Sequence, residues 1–436
     1  MNPNVYLLLY GGVALLVIYW HVRRRQRRHA AEVAQLHQAQ AAGLNEPPSL
    51  HPIVDPNKCL GSGACAKACP EGALGVVNGK ATLINAAACI GHGACYNACP
   101  VQALTLVFGT EKRGIDIPHV SREFETNVPG VFIAGELGGM GLIRKTAEQG
   151  RQAMAAIKAR NSAHMAPLDV VIVGAGPAGI SAGLSAIHHG LRYRIIEQED
   201  SLGGSVYHYP RNKLAMTAPV QLDIIGTVRL GAEVQKERLL AFWNEIAQRT
   251  KLTFHFNERF EGLERRPDGT FDVRTSRGSH HAKAVLLALG RRGTPRKLGV
   301  PGEELPKVVY RLIDAEQYRD QALLVVGGGD SALEAAVSLA AQPGCDVTLS
   351  YRGDAFARVK EKNRSAVQQA AESGRLRLLL QSTVTVIEAD TVTLKTTTDA
   401  ALVLPNHQVI VCAGGELPTP LLKSIGIRFE TKFGQA

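Results

Sequence analysis

LDVVIVGAGPAGISAGLSA, residues 168–186, runs from an apolar strand pattern through a glycine turn into a helix of small residues. Leu168–Val173 is apolar but for Asp169, as in a parallel strand covered on both faces. Gly174, Gly176 and Gly179 stand at the spacing G-x-G-x-x-G, and Pro177 opens the helix. The next strand, YRIIE, ends at Glu197, 23 residues beyond Gly174. Strand, turn, helix and acid in this order form a dinucleotide fingerprint. Bare backbone amides at the helix N-terminus meet a pyrophosphate, and Glu197 is placed for the ribose hydroxyls. The glycines alone would mark only a tight turn.

ALLVVGGGDSALEAA, residues 322–336, repeats the pattern as G-x-G-x-x-A with Gly327, Gly329 and Ala332, and Ser331 lies in the same turn. Its following strand, DVTLSYR, ends in Arg352 rather than an acid, with Arg358, Lys360 and Lys362 close behind. A carboxylate would repel a 2′-phosphate and a guanidinium accepts one, so NADPH is expected here rather than NADH. A solvated basic loop is the plainer reading of the same residues.

The chain also repeats itself with an offset of 30 residues. CLGSGACAKACPEGAL (59–74) aligns with CIGHGACYNACPVQAL (89–104), and six of the eight cysteines fall here, each trio ending in Cys-Pro. Zinc or disulfides are the alternatives to iron–sulfur; the repeat and the two Cys-Pro pairs favour iron–sulfur. The region resembles two-cluster bacterial ferredoxins, whose run is C-x2-C-x2-C-x3-C-P. That resemblance implies a small α+β dicluster domain with crossed ligands: Cys59, Cys65 and Cys99 at one cluster, Cys89, Cys95 and Cys69 at the other. Both repeats depart from it at the second cysteine, which is Ser62 in one and His92 in the other. Each either gives an oxygen or nitrogen ligand to a 4Fe-4S cluster or leaves three thiolates around a 3Fe-4S cluster. A neutral imidazole in place of a thiolate should raise the potential.

The two dinucleotide units, 153 residues apart (327 minus 174), resemble the two-domain flavoprotein disulfide reductases. LLALGRRGTP (286–295) is similar to that family's returning strand, and GGGDSALEAA to the nucleotide motif of thioredoxin reductases. LGGSVYHYPRNKL (202–214) resembles thioredoxin reductase-like proteins proposed to reduce bacillithiol disulfide. The resemblance implies FAD on the first unit, near Gly174, Gly176, Pro177, Gly179, Glu197 and Gly204. It implies NADPH on the second, near Gly327, Gly329, Ser331, Arg352 and Arg358. In that family a closing segment like T-x-V-P-G-V-F-A-x-G-D follows the nucleotide domain. Here TNVPGVFIAGELGG stands upstream, at 126–139. This reads as a circular permutation, with Gly135 and Glu136 beside the flavin and a helix from near Gly138 aimed at its ring; an unrelated linker is the alternative. Thioredoxin reductases also carry C-x-x-C before the second nucleotide motif, and VVYRLIDAEQYRDQ (308–321) has no cysteine. Cys345 and Cys412 read as buried thiols.

Residues 1–22 contain no Lys, Arg, Asp or Glu, and Arg23, Arg24, Arg25, Arg27 and Arg28 follow the apolar run Val5–Val22. A signal peptide carries its charge before the apolar run, so an uncleaved single-pass transmembrane helix is expected, with the catalytic part on the cytoplasmic side of the inner membrane. The expected order is anchor 1–22, basic and helical stalk 23–50, dicluster ferredoxin-like domain 51–108 and permuted closing segment 109–166. FAD-binding domain 167–300, NADPH-binding domain 301–405 and a return to the FAD domain at 406–436 follow.

The fold class is therefore α/β: two Rossmann-like domains, a small α+β dicluster domain and one N-terminal transmembrane helix. With 45% hydrophobic and 20% charged residues in 436, a disordered chain is excluded. The net charge of +10 is partly the arginine run, and no stacking aromatics interleave with the basic residues, so nucleic acid is not an expected partner. The expected activity is a membrane-anchored NADPH oxidoreductase passing electrons through FAD to iron–sulfur clusters and on to a redox partner protein or membrane carrier, or the reverse. Its domain content looks similar to glutamate synthase small subunits. Direct reduction of a low-molecular-weight disulfide and a non-enzymatic assembly role are the alternatives, and a homodimer is compatible with each.

Overall fold

The structure, a computed structural model, describes residues 3–41, 46–47, 50–111, 113–139, 141–160, 165–231, 233–291, 293–356, 359–397 and 401–434, with backbone alone at 3–9. It divides into two compact units. One holds residues 1–113, 355–361 and 433–436; the other holds 114–354 and 362–432.

In the first unit α1 (Pro3–Ala41) is a single helix. Its later turns meet the cysteine-rich domain: Glu32 Oε2 accepts the Val76 N–H at 2.9 Å, and Ala39 is buried with Ala87. Among the described residues no helix is long and apolar enough to cross a membrane. The expected anchor is thereby corrected, and with it the single-pass inner-membrane placement. The apolar run Val5–Val22 covers about 27 Å of helix against a hydrocarbon core of about 30 Å, and Gly11 and Gly12 interrupt it. The same helix then continues through the arginines, so the expected division at residue 22 is not a structural boundary.

The cysteine-rich domain repeats in backbone as in sequence. β1 (His51–Val54) pairs antiparallel with β4 (Leu104–Val107), and β2 (Leu74–Val77) with β3 (Lys80–Leu83). The short helices α2 (Ala64–Ala68) and α3 (Ala94–Ala98) are each preceded by a left-handed glycine, Gly63 at φ 73° and Gly93 at φ 72°. A side chain at either would be strained.

The second unit begins with β5 (Ile115–Pro118), and its two largest sheets among the described residues have six and five strands. The first includes β6 (Val131–Ile133), β7 (Leu168–Val173), β8 (Tyr193–Ile196), β13 (Phe260–Arg265), β14 (Phe271–Thr275) and β15 (Gly278–Leu287). β15 pairs in parallel with β7, from Ala282↔Leu168 to Leu287↔Val173, and with β6, from Val285↔Val131 to Leu287↔Ile133. On this sheet α4 (Ile143–Ala159) lies against α5 (Pro177–His188), and Ala147, Ala153 and Met154 share a core with Ala178 and Ala182. α4 starts later than the sequence indicates. Residues Glu136–Gly138 form a 3-10 turn that Gly139 closes at φ 99°, outside helical geometry. Between β8 and β13 lie β9 (Leu214–Met216), β10 (Val220–Leu222), β11 (Gly226–Val228), β12 (Glu233–Gln235) and α6 (Lys236–Thr250).

The second sheet orders β17 (Val308–Val309), β24 (Gln408–Val411), β18 (Ala322–Val326), β19 (Asp346–Tyr351) and β20 (Leu376–Leu380), all parallel. α7 (Asp330–Ala340) and α8 (Glu361–Glu372) connect its strands, and β21 (Thr383–Ile387), β22 (Thr391–Lys395) and β23 (Ala401–Pro405) form a three-stranded addition. β24 belongs to this sheet, so the return to the first domain begins beyond the expected residue 406. β16 (Thr294–Pro295) pairs with β25 (Gly415–Glu416) at the crossing, and Leu422 of α9 (Thr419–Ser424) is buried with Val131 and Val171 of the first core. Last, β26 (Phe429–Lys432) pairs antiparallel with β5, from Phe429↔Pro118 to Lys432↔Ile115.

Candidate cofactor sites

At the end of β7 the fingerprint glycines divide by steric role. A methyl group added at Gly174, where φ is 111°, would stand 2.5 Å from the Ala288 carbonyl oxygen; at Gly179 it would stand 1.8 Å from that of Gly174. These two are required by the fold. Gly176 is different: its nearest neighbour would be Gly204 Cα at 3.8 Å. The turn therefore leaves open backbone before the N-terminus of α5, where Pro177 is the first residue and a pyrophosphate would need to approach. Gly204, at φ 54°, presses on this turn, an added methyl there lying 2.9 Å from Gly176 Cα. Glu197 is buried; its Oε2 accepts the Ala175 N–H at 2.7 Å and its Oε1 the Glu199 N–H at 3.1 Å. Burial pushes its carboxyl up against the pull of those amides.

Residues 135 and 136 lie at the same turn. An added methyl at Gly135 would be 3.2 Å from Ala178 Cβ, and the Gly135 N–H donates to Gln149 Oε1 at 2.9 Å. Glu136 faces Arg291, whose guanidinium burial pulls down while Glu136 and Asp116 hold it up.

The second turn repeats the division. At Gly327 an added methyl would sit 2.4 Å from the Cys412 carbonyl oxygen, whereas at Gly329 nothing lies within 4 Å. Ala332 is fully buried at the third position. Ser331, in the first turn of α7, and Arg352, just after β19, are exposed. Arg358 lies outside the described residues. Motif spacing did not reveal the contacts between the two dinucleotide domains. Lys213 pairs with Glu334, Arg211 with Asp314 at 3.1 Å, and Arg311 with His208. Their partners are more than a hundred residues apart, so no local signal exists.

The cysteines group in the crossed pattern. Cys65 lies within electrostatic reach of Cys59 and Cys99, and Cys95 within that of Cys89 and Cys69 and, with the smallest effect, of Cys65 in the other trio. Cys59, Ser62, Cys65 and Cys99 line one recess. The Ala81 N–H donates to Cys59 Sγ at 3.4 Å and the Ala103 N–H to Cys99 Sγ at 3.2 Å. Burial pushes the Cys65 and Cys89 thiols up, and that of Cys95 to about 11, a cost that iron coordination would offset. His92 is half-buried and burial holds its pKa down; Glu71 and Lys360 act on it in opposite senses. Among the described residues no three His, Cys, Asp or Glu converge tightly enough for one metal ion. Thiolates spread around a recess fit a cluster better than the close tetrahedron of zinc.

Two open glycine turns at helix N-termini, each at the end of a parallel strand and on two sheets of one unit, define a two-dinucleotide oxidoreductase. Residues 171–434 match the pyridine nucleotide-disulphide oxidoreductase family, and the chain belongs to it. Residues 51–100 match a 4Fe-4S dicluster domain. The bacilliredoxin reductase Bdr of Bacillus subtilis is 25% identical over 269 residues, 61% of this chain and 82% of that protein. A ferredoxin–NADP reductase of Thermus thermophilus is 32% identical over 257 residues, 56% of this chain and 72% of that one. Among solved structures, the bacillithiol disulfide reductase Bdr (YpdA) of Staphylococcus aureus superposes with a TM-score of 0.53 at 24% identity, over 61% of this chain and 81% of that one. The chain is thus a reductase of the FAD- and NADP-binding, thioredoxin reductase-like kind that carries a dicluster ferredoxin domain.

Proposed function

We propose that the chain moves electrons between NADPH and its two cluster sites by way of FAD, and exchanges them with a redox partner protein, in either direction. One observation carries this reading: no cysteine lies between Cys99 and Cys345. The whole fingerprint domain lacks a thiol, so no dithiol can stand beside the flavin to relay electrons to a disulfide. Cys345 gives its S–H to the Tyr318 carbonyl oxygen at 3.0 Å. The remaining six cysteines outside Cys412 form the two trios. FAD, when bound, accepts two electrons together and releases them singly, which one-electron clusters require. Gly176 and the α5 N-terminus would hold its pyrophosphate and Glu197 its ribose. Gly329 and Arg352 would hold NADPH, and Cys59, Cys65 and Cys99 with Ser62, and Cys69, Cys89 and Cys95 with His92, the clusters.

A second reading, direct reduction of a small disulfide, draws on the 202–214 stretch and on the Bdr relatives. We also read residues 109–166, of which those from 114 on fall in the second unit, as the family's closing segment moved to the front; the seat of β6 beside β15 and of α4 against α5 supports this reading.

Anaerobic NADPH titration followed by absorbance and EPR tests the order of transfer. The flavin should bleach first and the clusters should be reduced second. Replacing Gly176 by Trp should empty the flavin site and leave clusters that dithionite reduces and NADPH does not. Fast cluster reduction by NADPH without flavin would overturn the proposal. Undiminished turnover of a small disulfide after Cys59→Ser and Cys89→Ser would favour the second reading.

A further inference from the structure

One repeat builds both cluster sites, yet the side chains around them carry opposite charge. Lys80, the first residue of β3, lays its ammonium on the loop of Cys59: Nζ donates to the Cys59 carbonyl oxygen at 2.8 Å and to that of Pro56 at 2.8 Å. Ala81 and Ala103 direct their N–H groups at two sulfurs of the same site. At the other site Cys89 and Cys95 also receive backbone N–H groups, from Gly91 and Tyr96, so amides alone do not separate the two. The Cys89 thiol faces the Leu50 carbonyl oxygen at 3.9 Å. Glu71 lies in the turn that the Gly72 N–H closes on the Cys69 carbonyl oxygen at 3.3 Å, and it acts on both Cys89 and His92. Lys360 opposes Glu71 at His92, with the smaller effect. In the aligned repeats Lys80 falls opposite Thr110, and Glu71 opposite Val101. Neither charge has a counterpart in the other half.

Reduction adds negative charge to a cluster. A nearby ammonium favours the reduced form and a nearby carboxylate opposes it. We infer that Lys80 raises the potential of the Cys59/Cys65/Cys99 site and that Glu71 lowers that of the Cys69/Cys89/Cys95 site. Glu71 thereby works against the rise that a His92 imidazole in place of a thiolate would bring, and Lys80 draws the added electron towards the site that contains Ser62. The inference rests on the reading that each trio holds a cluster.

The test is a potentiometric titration of the full chain read by EPR. Ser62→Cys alters the coordination of its own site and so identifies that signal; His92→Cys identifies the other where the first variant does not assemble. The wild-type chain should show two midpoints, one for each site. Lys80→Met should shift the midpoint of the Ser62 site down by about tenfold in equilibrium, ~59 mV for one electron. Lys80→Arg should leave it in place, and Glu71→Gln should raise the other midpoint. A Lys80→Met shift that falls on the other signal or on neither, or a Glu71→Gln shift that falls on the Ser62 site, overturns the inference. Absence of iron and acid-labile sulfide from the purified chain overturns the cluster reading instead.

Discussion

Glu258 has no side-chain exposure and receives three hydrogen bonds, from Arg194 at 3.1 Å, His280 at 2.5 Å and Thr275 at 2.8 Å. Burial pushes its carboxyl up, but His280, Thr275 and Arg194 win and hold it at about 2. The folded value lies below the ordinary 4.5. The carboxylate therefore stabilises the fold above pH 4.5, and that contribution fades as the pH falls towards 2. Glu258→Gln should cost about 3 kcal/mol near neutrality by leaving Arg194 without its buried partner. Urea midpoints of the two proteins should converge between pH 4.5 and about 2; a gap independent of pH would refute the assignment. The same domain offers a steric test. Gly179→Ala, with a carbonyl oxygen 1.8 Å from the new methyl, should lower stability by about 1–3 kcal/mol and release flavin. Gly329→Ala, with nothing within 4 Å, should melt like wild type and bind NADPH more weakly in a fluorescence titration. The two outcomes exchanged would mean the open and closed glycines had been misassigned.

Elements were legible where their evidence is contiguous. Residues 168–197 announce strand, turn, helix and acid in one stretch, and the structure gives β7, α5 and β8 in that order. β6 is different: three residues have no periodicity, and only the motif around Gly130 and Gly135 pointed to it. The length of α1 was not legible, because the change from apolar to arginine side chains looks like an end while helical backbone tolerates both. The pairing of β26 with β5 left no local trace, since Thr431 and Asp116 are 315 residues apart. That pair has the geometry of a hairpin without its turn, Lys432 lying opposite Ile115. Joining residue 432 to residue 115 through a short Asn-Gly turn, in a chain that begins at residue 165 and ends at residue 160, should give a folded yellow protein without the cysteine trios. Colourless or aggregated product, with the unpermuted chain yellow under the same preparation, would sink the permutation reading.

The whole molecule is decided by which dinucleotide feeds it. Arg352 stands where the acid Glu197 stands in the first dinucleotide domain, and its exposure leaves it available to a 2′-phosphate. Arg352→Ala should weaken NADPH by about 1.5–3 kcal/mol, roughly ten- to a hundredfold, and spare NADH; equal losses in KM for both would show that another group reads the phosphate. The seat of β6 has a further consequence, for the order in which the molecule is made. Ribosomes release a chain from its N-terminus, so both cysteine trios and β6 emerge while β15, the partner of β6, is still unsynthesised. β5 waits longer still, for β26. The nascent chain thus passes through a stage in which both cysteine trios are already made while β6 still has no strand beside it, so the trios can meet iron and sulfide before the sheet that carries the first glycine turn is closed.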